Sequence, residues 1–434
     1  MSIESRKSRA VEEYSRHVSS GKAAFFKKYG MDFIMGDRKG NWLMDVDGEK
    51  RLFNLHCNGG VFNLGHRNNE IIEALQSALT EIDIGNHHLM SHYRAKTAKQ
   101  LADLMPEDLT YTVFGVSGGE AVDLAIKVAR SYSGKTKIIS ARGGYHGHTG
   151  LALAAGDEKY RAPFGPSAPG FVQVPFGNAD ALNREMDDNT AAVILETIPA
   201  TLGMVIPSKQ YMQEVRKICD HWGAQLILDE VQSGLGRTGK MWAFEHFDIV
   251  PDIVVLGKGL SGGIYPITAT VIRKKLESIF HEDPFIHVST FGGAELGCVV
   301  ASKVLEISSR PEFLEQVSDM AHQIGIKLEM LTTKHRPFFG GYRQLGLMIG
   351  LLLQDDVSGP VLTKAAYEND LLLIYANNDT SICQFLPPLT IGKGDIELVT
   401  TSLDKALTKG RHLRKLVKAR SALSFMTKII KKKA

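Results

Sequence analysis

The 434 residues are 44% hydrophobic and 23% charged and include only four cysteines. That composition excludes disordered, collagenous and disulfide-scaffold chains, and the length suits one large domain plus a smaller one. The net charge of +3 hides an asymmetry: nine of the 51 lysines and arginines lie between Gly410 and Ala434, with no acid among them, so the body carries 42 bases against 48 acids and is not expected to bind nucleic acid.

In chain order, the opening MSIESRKSRAVEEYSRH is charged and lacks the apolar core of a signal peptide. No stretch approaches the ~18 apolar residues of a membrane span. Cys57, Cys219, Cys298 and Cys383 are scattered without a CxxC pair, so a cytoplasmic location is expected. From Met31 to Leu55, the runs FIMG, WLMDV and RLFNL, separated by DRKGN and DGEK, predict a strand-turn-strand ribbon. Helical periodicity follows from Glu70 to Thr80.

Between Tyr111 and Arg273, short apolar runs at 111–114, 137–140, 171–174, 192–195, 225–228, 253–256 and 268–272 alternate with helices such as 119–133 and 208–222. Continuous apolar strands separated by helices predict an α/β domain built on a mostly parallel, seven-stranded sheet. After Ser308 the order changes to a helix reaching about Thr333, strands near 346–353, 371–375 and 383–386, and helices at 360–369 and 395–408. A smaller α+β domain is expected there. The predicted division is an N-terminal segment over 1–60 that joins the small domain, a large domain over 61–310, and the small domain with its basic tail over 311–434.

The most informative stretch is LILDEVQSGLGRTG, where an apolar strand ends in Asp229 and Glu230 before a Gly-rich turn. Ligands of open α/β sheets sit at the carboxyl ends of strands, although an aspartate there also serves as a helix cap. Lys258 follows the next apolar strand, between Gly257 and Gly259. It could snorkel to solvent, but a partly desolvated lysine has a lowered pKa and suits Schiff-base chemistry. A carboxylate and a lysine at neighbouring strand ends are the two groups that pyridoxal phosphate requires. Upstream, Ser117-Gly118-Gly119 lie between a strand and a helix, where free amides could cradle a phosphate or simply start the helix. Gly234 to Lys240 imitates part of a P-loop, but Met241 replaces the magnesium-binding hydroxyl, and a triphosphate site is rejected.

These motifs together resemble the class III aminotransferases, fold type I pyridoxal phosphate enzymes, from about Asp32 to about Leu407. LILDEVQSGLGRTGKMWAFEHFDIVPDIVVLGKGLSGG resembles that family's signature nearly throughout, as do WLMDVDGEKRLFNL, NLGH, SGGEAVDLAIKVAR, YHGHTG, STFGGAELG and FLPPLTIG. The resemblance implies that Lys258 forms the Schiff base and acts as general base, and that Asp229 pairs with the pyridinium nitrogen. It also implies that Gln232 contacts the ring hydroxyl, that Val231 and Tyr145 flank the ring, and that Ser117, Gly118 and Gly119 hold the phosphate. Glu196 would lie near the cofactor and substrate mouth. Thr290 would reach the phosphate from the neighbouring subunit of a homodimer. The reaction so implied moves an amino group between an amine or amino-acid donor and an aldehyde or ketone.

Two departures accompany the match. Where relatives that use α-amino acids carry an arginine before the Pro-Pro-Leu motif, this chain has Gln384, and Ala294 stands where most relatives have asparagine. The first leaves open an aminomutase or epimerase using the same cofactor, and makes Arg237 and Arg343 the remaining candidates for gripping a carboxylate. His88 and His92 have ligand-like spacing but no partnering acid, so no metal site is expected. Leu413, Leu416, Val417, Leu423, Met426 and Ile430 fall roughly on one helical face of the basic tail, which could be a solvated helix or could dock an acidic carrier protein or an anionic membrane.

Overall fold

Short apolar runs broken by glycine turns produce sheets, and the chain forms three of them. The computed structural model describes residues 5–433, with side chains described through Arg420. Two helices come first, Arg6–His17 and Ser20–Lys28, capped by Ser5 and Ser19 and burying none of their residues. The ribbon follows as β1 (Met35–Lys39), β2 (Trp42–Asp45) and β3 (Arg51–Asn54). Its first strand runs later than the sequence suggests: Arg38 and Lys39 are paired rather than turning, and the reversal falls at Gly40 and Asn41.

The central sheet comprises β4 (Leu109–Gly115), β5 (Lys137–Ala141), β6 (Phe171–Val174), β7 (Thr190–Glu196), β8 (Gln225–Asp229), β9 (Ile253–Leu256) and β10 (Thr268–Arg273). They lie in the order β4-β10-β9-β8-β7-β5-β6, with β10 antiparallel to both of its neighbours and the other pairings parallel. Every residue of β7, β8 and β9 is buried. Alternation divides them between two cores, Leu226 and Leu228 facing one and Ile227 the other. Each such side chain contributes about 1.5–3 kcal/mol by leaving water. This explains why the strands read as unbroken apolar runs rather than as alternating ones.

The helix expected after Ser308 and reaching about Thr333 is Pro311–His335, started by a proline, which lacks an N–H, at its first turn and preceded by the separate helix Glu295–Ser308. The other C-terminal elements depart from expectation in three ways. A strand within FGGYRQL, hidden by its glycine pair, forms β11 (Phe339–Leu345), which makes a hairpin with β12 (Met348–Leu353). The single strand expected over 371–375 is β13 (Leu371–Leu372), parallel to β3, and then β14 (Ile374–Tyr375), which pairs with β15 (Ile382–Phe385). The chain thus crosses between the N-terminal ribbon and the C-terminal sheet within five residues. The last helix runs on from Lys393 to Lys433 rather than stopping near 408. Along it Leu413 packs on the core, Arg414 and Lys418 both pair with Asp355, and Leu416 and Val417 are exposed. Leu423, Met426 and Ile430 lie outside the described side chains. Among the described residues no helix is long and apolar enough to cross a membrane.

Arg237 joins these parts. Its guanidinium is fully buried and donates to the carbonyls of Leu347 (3.1 Å) and Pro387 (2.6 Å) and to Asn63 Oδ1 (2.6 Å). Burial lowers its pKa to about 10, with Cys57 opposing. Replacement by methionine keeps the volume but leaves three buried acceptors unpaired. Arg237→Met should therefore lower stability by about 2–4 kcal/mol, read as a shift of the urea midpoint at unchanged slope.

Candidate active site

The carboxyl ends of three neighbouring strands bring ionisable groups to one edge of the central sheet. β7 ends in Glu196 and β8 in Asp229, and these two residues are register partners; β9 leads through Gly257 into Lys258. Burial of the preceding strands fixes where the charged groups emerge. Together with the start of the helix Gly118–Ser133 and the loop 145–149, they enclose a cavity of about 380 Å³.

Nine of the ten residues singled out in the sequence border this cavity: Ser117, Gly118 and Gly119 at the helix start, Tyr145 on the loop, and Glu196, Asp229, Val231, Gln232 and Lys258 along the strand ends. The tenth, Thr290, is exposed and outside it.

Ser117 has the extended backbone of an N-cap and accepts the Glu120 amide at 3.2 Å, while Glu120 reaches back to the Val116 amide at 2.7 Å. First-turn amides have no acceptor within the helix, so Gly118 and Gly119 present donors and the positive end of a sixteen-residue dipole to the cavity. A side chain on Gly119 would meet Thr149 Oγ1 at 2.6 Å.

Asp229 is only 7% exposed. Its Oδ1 accepts the Val231 amide at 3.1 Å, and its Oδ2 lies 2.9 Å from His146 Nδ1. Burial lowers the His146 pKa, but the hydrogen bond and charge of Asp229 outweigh it and the net shift is upward. His146 Nε2 is buried without a partner. From the sequence, this histidine in a loop near the predicted site segments suggests only a cap or packing role. The available signal was its place in YHG directly after Tyr145, but its partner is 83 residues away, a contact that spacing cannot show.

Glu196 is buried and accepts the Tyr145 amide at 2.9 Å. Burial raises its pKa to about 7, partly opposed by His146 and aided by Asp229. Burial also lowers the Lys258 pKa, against the pull of Asp229 and Glu196. The Lys258 amine donates to Gln232 Oε1 at 3.2 Å, while Gln232 Nε2 is buried without a partner. Glu230, adjacent to Asp229, turns the other way: it accepts Thr197 Oγ1 at 2.6 Å and the amides of Ala243 and Phe244, holding a short 3-10 turn.

Neither arginine considered as a carboxylate grip is free. Arg237 is committed as described, and Arg343 donates to the Gly203 carbonyl at 2.8 Å. Gln384 lies in β15, paired with Gly350 of β12. Among the described residues no cluster of histidine, cysteine and acids has the form of a metal site.

Comparison with known proteins gives a consistent result. A family model described as aminotransferase class-III matches residues 27–407. The chain is 54% identical over 411 residues to an uncharacterized aminotransferase of Archaeoglobus fulgidus, covering 95% of this chain and 96% of that one. Among solved structures, an (S)-enantioselective omega-transaminase from Thermomicrobium roseum superposes with a TM-score of 0.85 at 25% identity, over 94% of this chain and 99% of its own. The ornithine aminotransferase from Toxoplasma gondii gives 0.83 at 24% identity, over 95% and 100%.

The acid with the raised pKa makes a pH prediction. A carboxyl group that titrates near 7 when folded and near 4.5 when unfolded favours the folded state most below pH 4.5. That contribution is lost as pH rises through 7. In the cofactor-free protein, Glu196→Gln should remove on the order of 3 kcal/mol of the stability decline between pH 4.5 and 7. Urea unfolding across that range measures it; Glu230, which burial also raises to about 7, leaves a residual decline.

Proposed function

The chain belongs to the class III aminotransferases, which use pyridoxal phosphate to pass an amino group between an amine or amino-acid donor and an oxo acceptor, and from this premise we propose how its own residues divide the work. The observation that carries the reading is one cavity in which Lys258 and Asp229 stand at neighbouring strand ends opposite a helix N-terminus. The cofactor supplies an aldehyde that condenses with amines and a ring that accepts the electron pair left when a proton departs.

The residues present suit that group. Ser117, Gly118 and Gly119 would hold its phosphate with a hydroxyl and first-turn amides. Asp229, kept in place by His146 and the Val231 amide, would keep the ring nitrogen protonated. Val231 and Tyr145 would bound the two ring faces, and the unpartnered amide of Gln232 would meet the ring hydroxyl. Lys258 would form the covalent link and then carry the proton to and from the substrate carbon. Burial suits it to that task, since a base needs a neutral amine near neutral pH. Glu196 sits where its charge would respond to substrate in the same pH range.

Lys258→Ala should lower turnover by at least about 10³-fold while the protein still binds pyridoxal phosphate without a covalent link. Turnover at the wild-type rate would overturn the assignment. Transfer is separated from an aminomutase or epimerase reaction by adding a donor amine without an oxo acceptor. Stoichiometric loss of the aldehyde absorbance marks transfer; an isomerised product with the absorbance retained marks the alternative.

The reading extends to a homodimer. Leu89, Met90, Phe285, Ile286 and Phe291 are each more than half exposed, and His88 packs on Phe285 at 5.5 Å, which joins the two segments in an apolar patch. Thr290 lies within it. A second copy covering this patch would carry Thr290 toward the neighbouring phosphate site, and large exposed apolar patches commonly mark such interfaces. Met90→Glu combined with Phe285→Glu should shift sedimentation from dimer to monomer; a wild-type monomer would remove the idea. The division at about residues 60 and 310 is part of the same proposal, supported by sheet membership, as is a cytoplasmic setting, supported by four buried, unpaired cysteines.

A further inference from the structure

Of the chain's non-glycine residues with left-handed backbone, three meet at one place. Cys57 (φ 49°), Asn58 (φ 50°) and Lys258 (φ 40°) share it with Gly59 (φ 67°) and Gly60 (φ 102°). Residues 57–60 therefore form four successive left-handed positions, and this turn packs against the Lys258 side chain. A Cβ on Gly59 would lie 3.2 Å from Lys258 Cε, 3.4 Å from its Nζ and 3.7 Å from Gln232 Cδ.

Such a conformation persists only when its surroundings over-determine it, and here they do. Asn54 Oδ1 accepts the amides of Cys57 (2.8 Å) and His56 (3.2 Å), while Asn54 Nδ2 lies 2.9 Å from His66 Nε2. The Gly59 amide donates to the His56 carbonyl at 2.8 Å and the Phe62 amide to the Cys57 carbonyl at 3.1 Å. Below the turn, Asn63 is gripped by Arg237. None of these groups borders the cavity, yet together they fix a surface without side chain against the Lys258 amine.

We propose that the turn Cys57–Gly60 positions the reactive amine, with Gly59 as the point of contact: its bare backbone leaves the Lys258 amine room to swing while bounding how far it can go. The inference rests on Lys258 being the reacting amine, and it adds an element from the far end of the chain, nearly 200 residues earlier in sequence. Gly59 is a positioning residue. A methyl group there occupies the space through which Lys258 Cε and Nζ move, whereas the same change at Gly134, left-handed by the same φ of 67°, meets no atom within 4 Å.

The comparison of Gly59→Ala with Gly134→Ala in the cofactor-free protein is the test. Acetylation of Lys258 by acetic anhydride, followed as a function of pH by peptide mass spectrometry, reports the amine's accessibility and pKa apart from catalysis. In the loaded enzyme, single-turnover rates are then separated from KM. Gly59→Ala should slow Lys258 acetylation at least tenfold and lower kcat with little change in KM, while Gly134→Ala keeps Lys258 reactivity within about twofold of wild type. Equal reactivity of Lys258 in the two variants overturns the proposal. If Gly59→Ala does not fold, Asn54→Ala decides: releasing the turn should speed Lys258 acetylation and shift its pH profile, and an unchanged profile overturns it. The two readings fail separately, since turnover retained by Lys258→Ala rejects the role of the amine itself, whereas a dead Lys258→Ala beside identical glycine variants rejects only the turn.

Discussion

Three strands that are buried along four to seven residues each deliver an ionisable group to the same edge of one sheet, and those groups are largely removed from water. Burying a charge costs several kcal/mol unless a partner answers it. Each group has such a partner: His146 beside Asp229, the Tyr145 amide on Glu196, and Gln232 on Lys258. The partners come from loops that follow other strands, so the arrangement exists only once the sheet order is set. The cost is met by hydrophobic burial elsewhere in the two cores that β7, β8 and β9 separate. What results is an amine biased toward neutrality and a carboxyl group whose pKa is raised to about 7.

The neighbouring acids illustrate how direction divides role. Asp229 and Glu230 are adjacent in sequence, yet one faces the cavity and the other anchors the backbone of residues 243 and 244. Extended backbone sends successive side chains to opposite faces, which separates the carboxylate that faces the cavity from the one that holds backbone. A similar division applies to the arginines. Arg237 serves as an internal brace whose guanidinium meets carbonyls and an amide oxygen, Arg343 donates to the Gly203 carbonyl, and neither lines the cavity.

The frame around the site is assembled from both ends of the chain. β13 pairs with β3 and β14 with β15, so a single short segment fastens the N-terminal ribbon to the C-terminal sheet. Arg237 ties the same regions from inside. The turn at residues 57–60, held between Asn54 and Asn63, is thereby pressed onto Lys258. An enzyme of this kind needs an amine that is both confined and movable, and a wall of glycine backbone satisfies both demands.

Sequence alone determined the elements whose signal is local. The seven central strands were legible because both faces of their sheet are buried, and a continuous apolar run has few other uses at that length. Asp229, Lys258 and the Ser-Gly-Gly helix start were legible because each follows directly from the end of such a run. Tertiary structure decided what depends on pairing across distance: the bond between His146 and Asp229, the structural role of Glu230, the bracing by Arg237, the split of residues 371–375 between two sheets and the approach of Gly59 to Lys258. Local propensity follows from a residue's own bonds and its near neighbours, whereas these contacts join residues separated by dozens to hundreds of positions. Their energies arise only when the sheet order has brought them together.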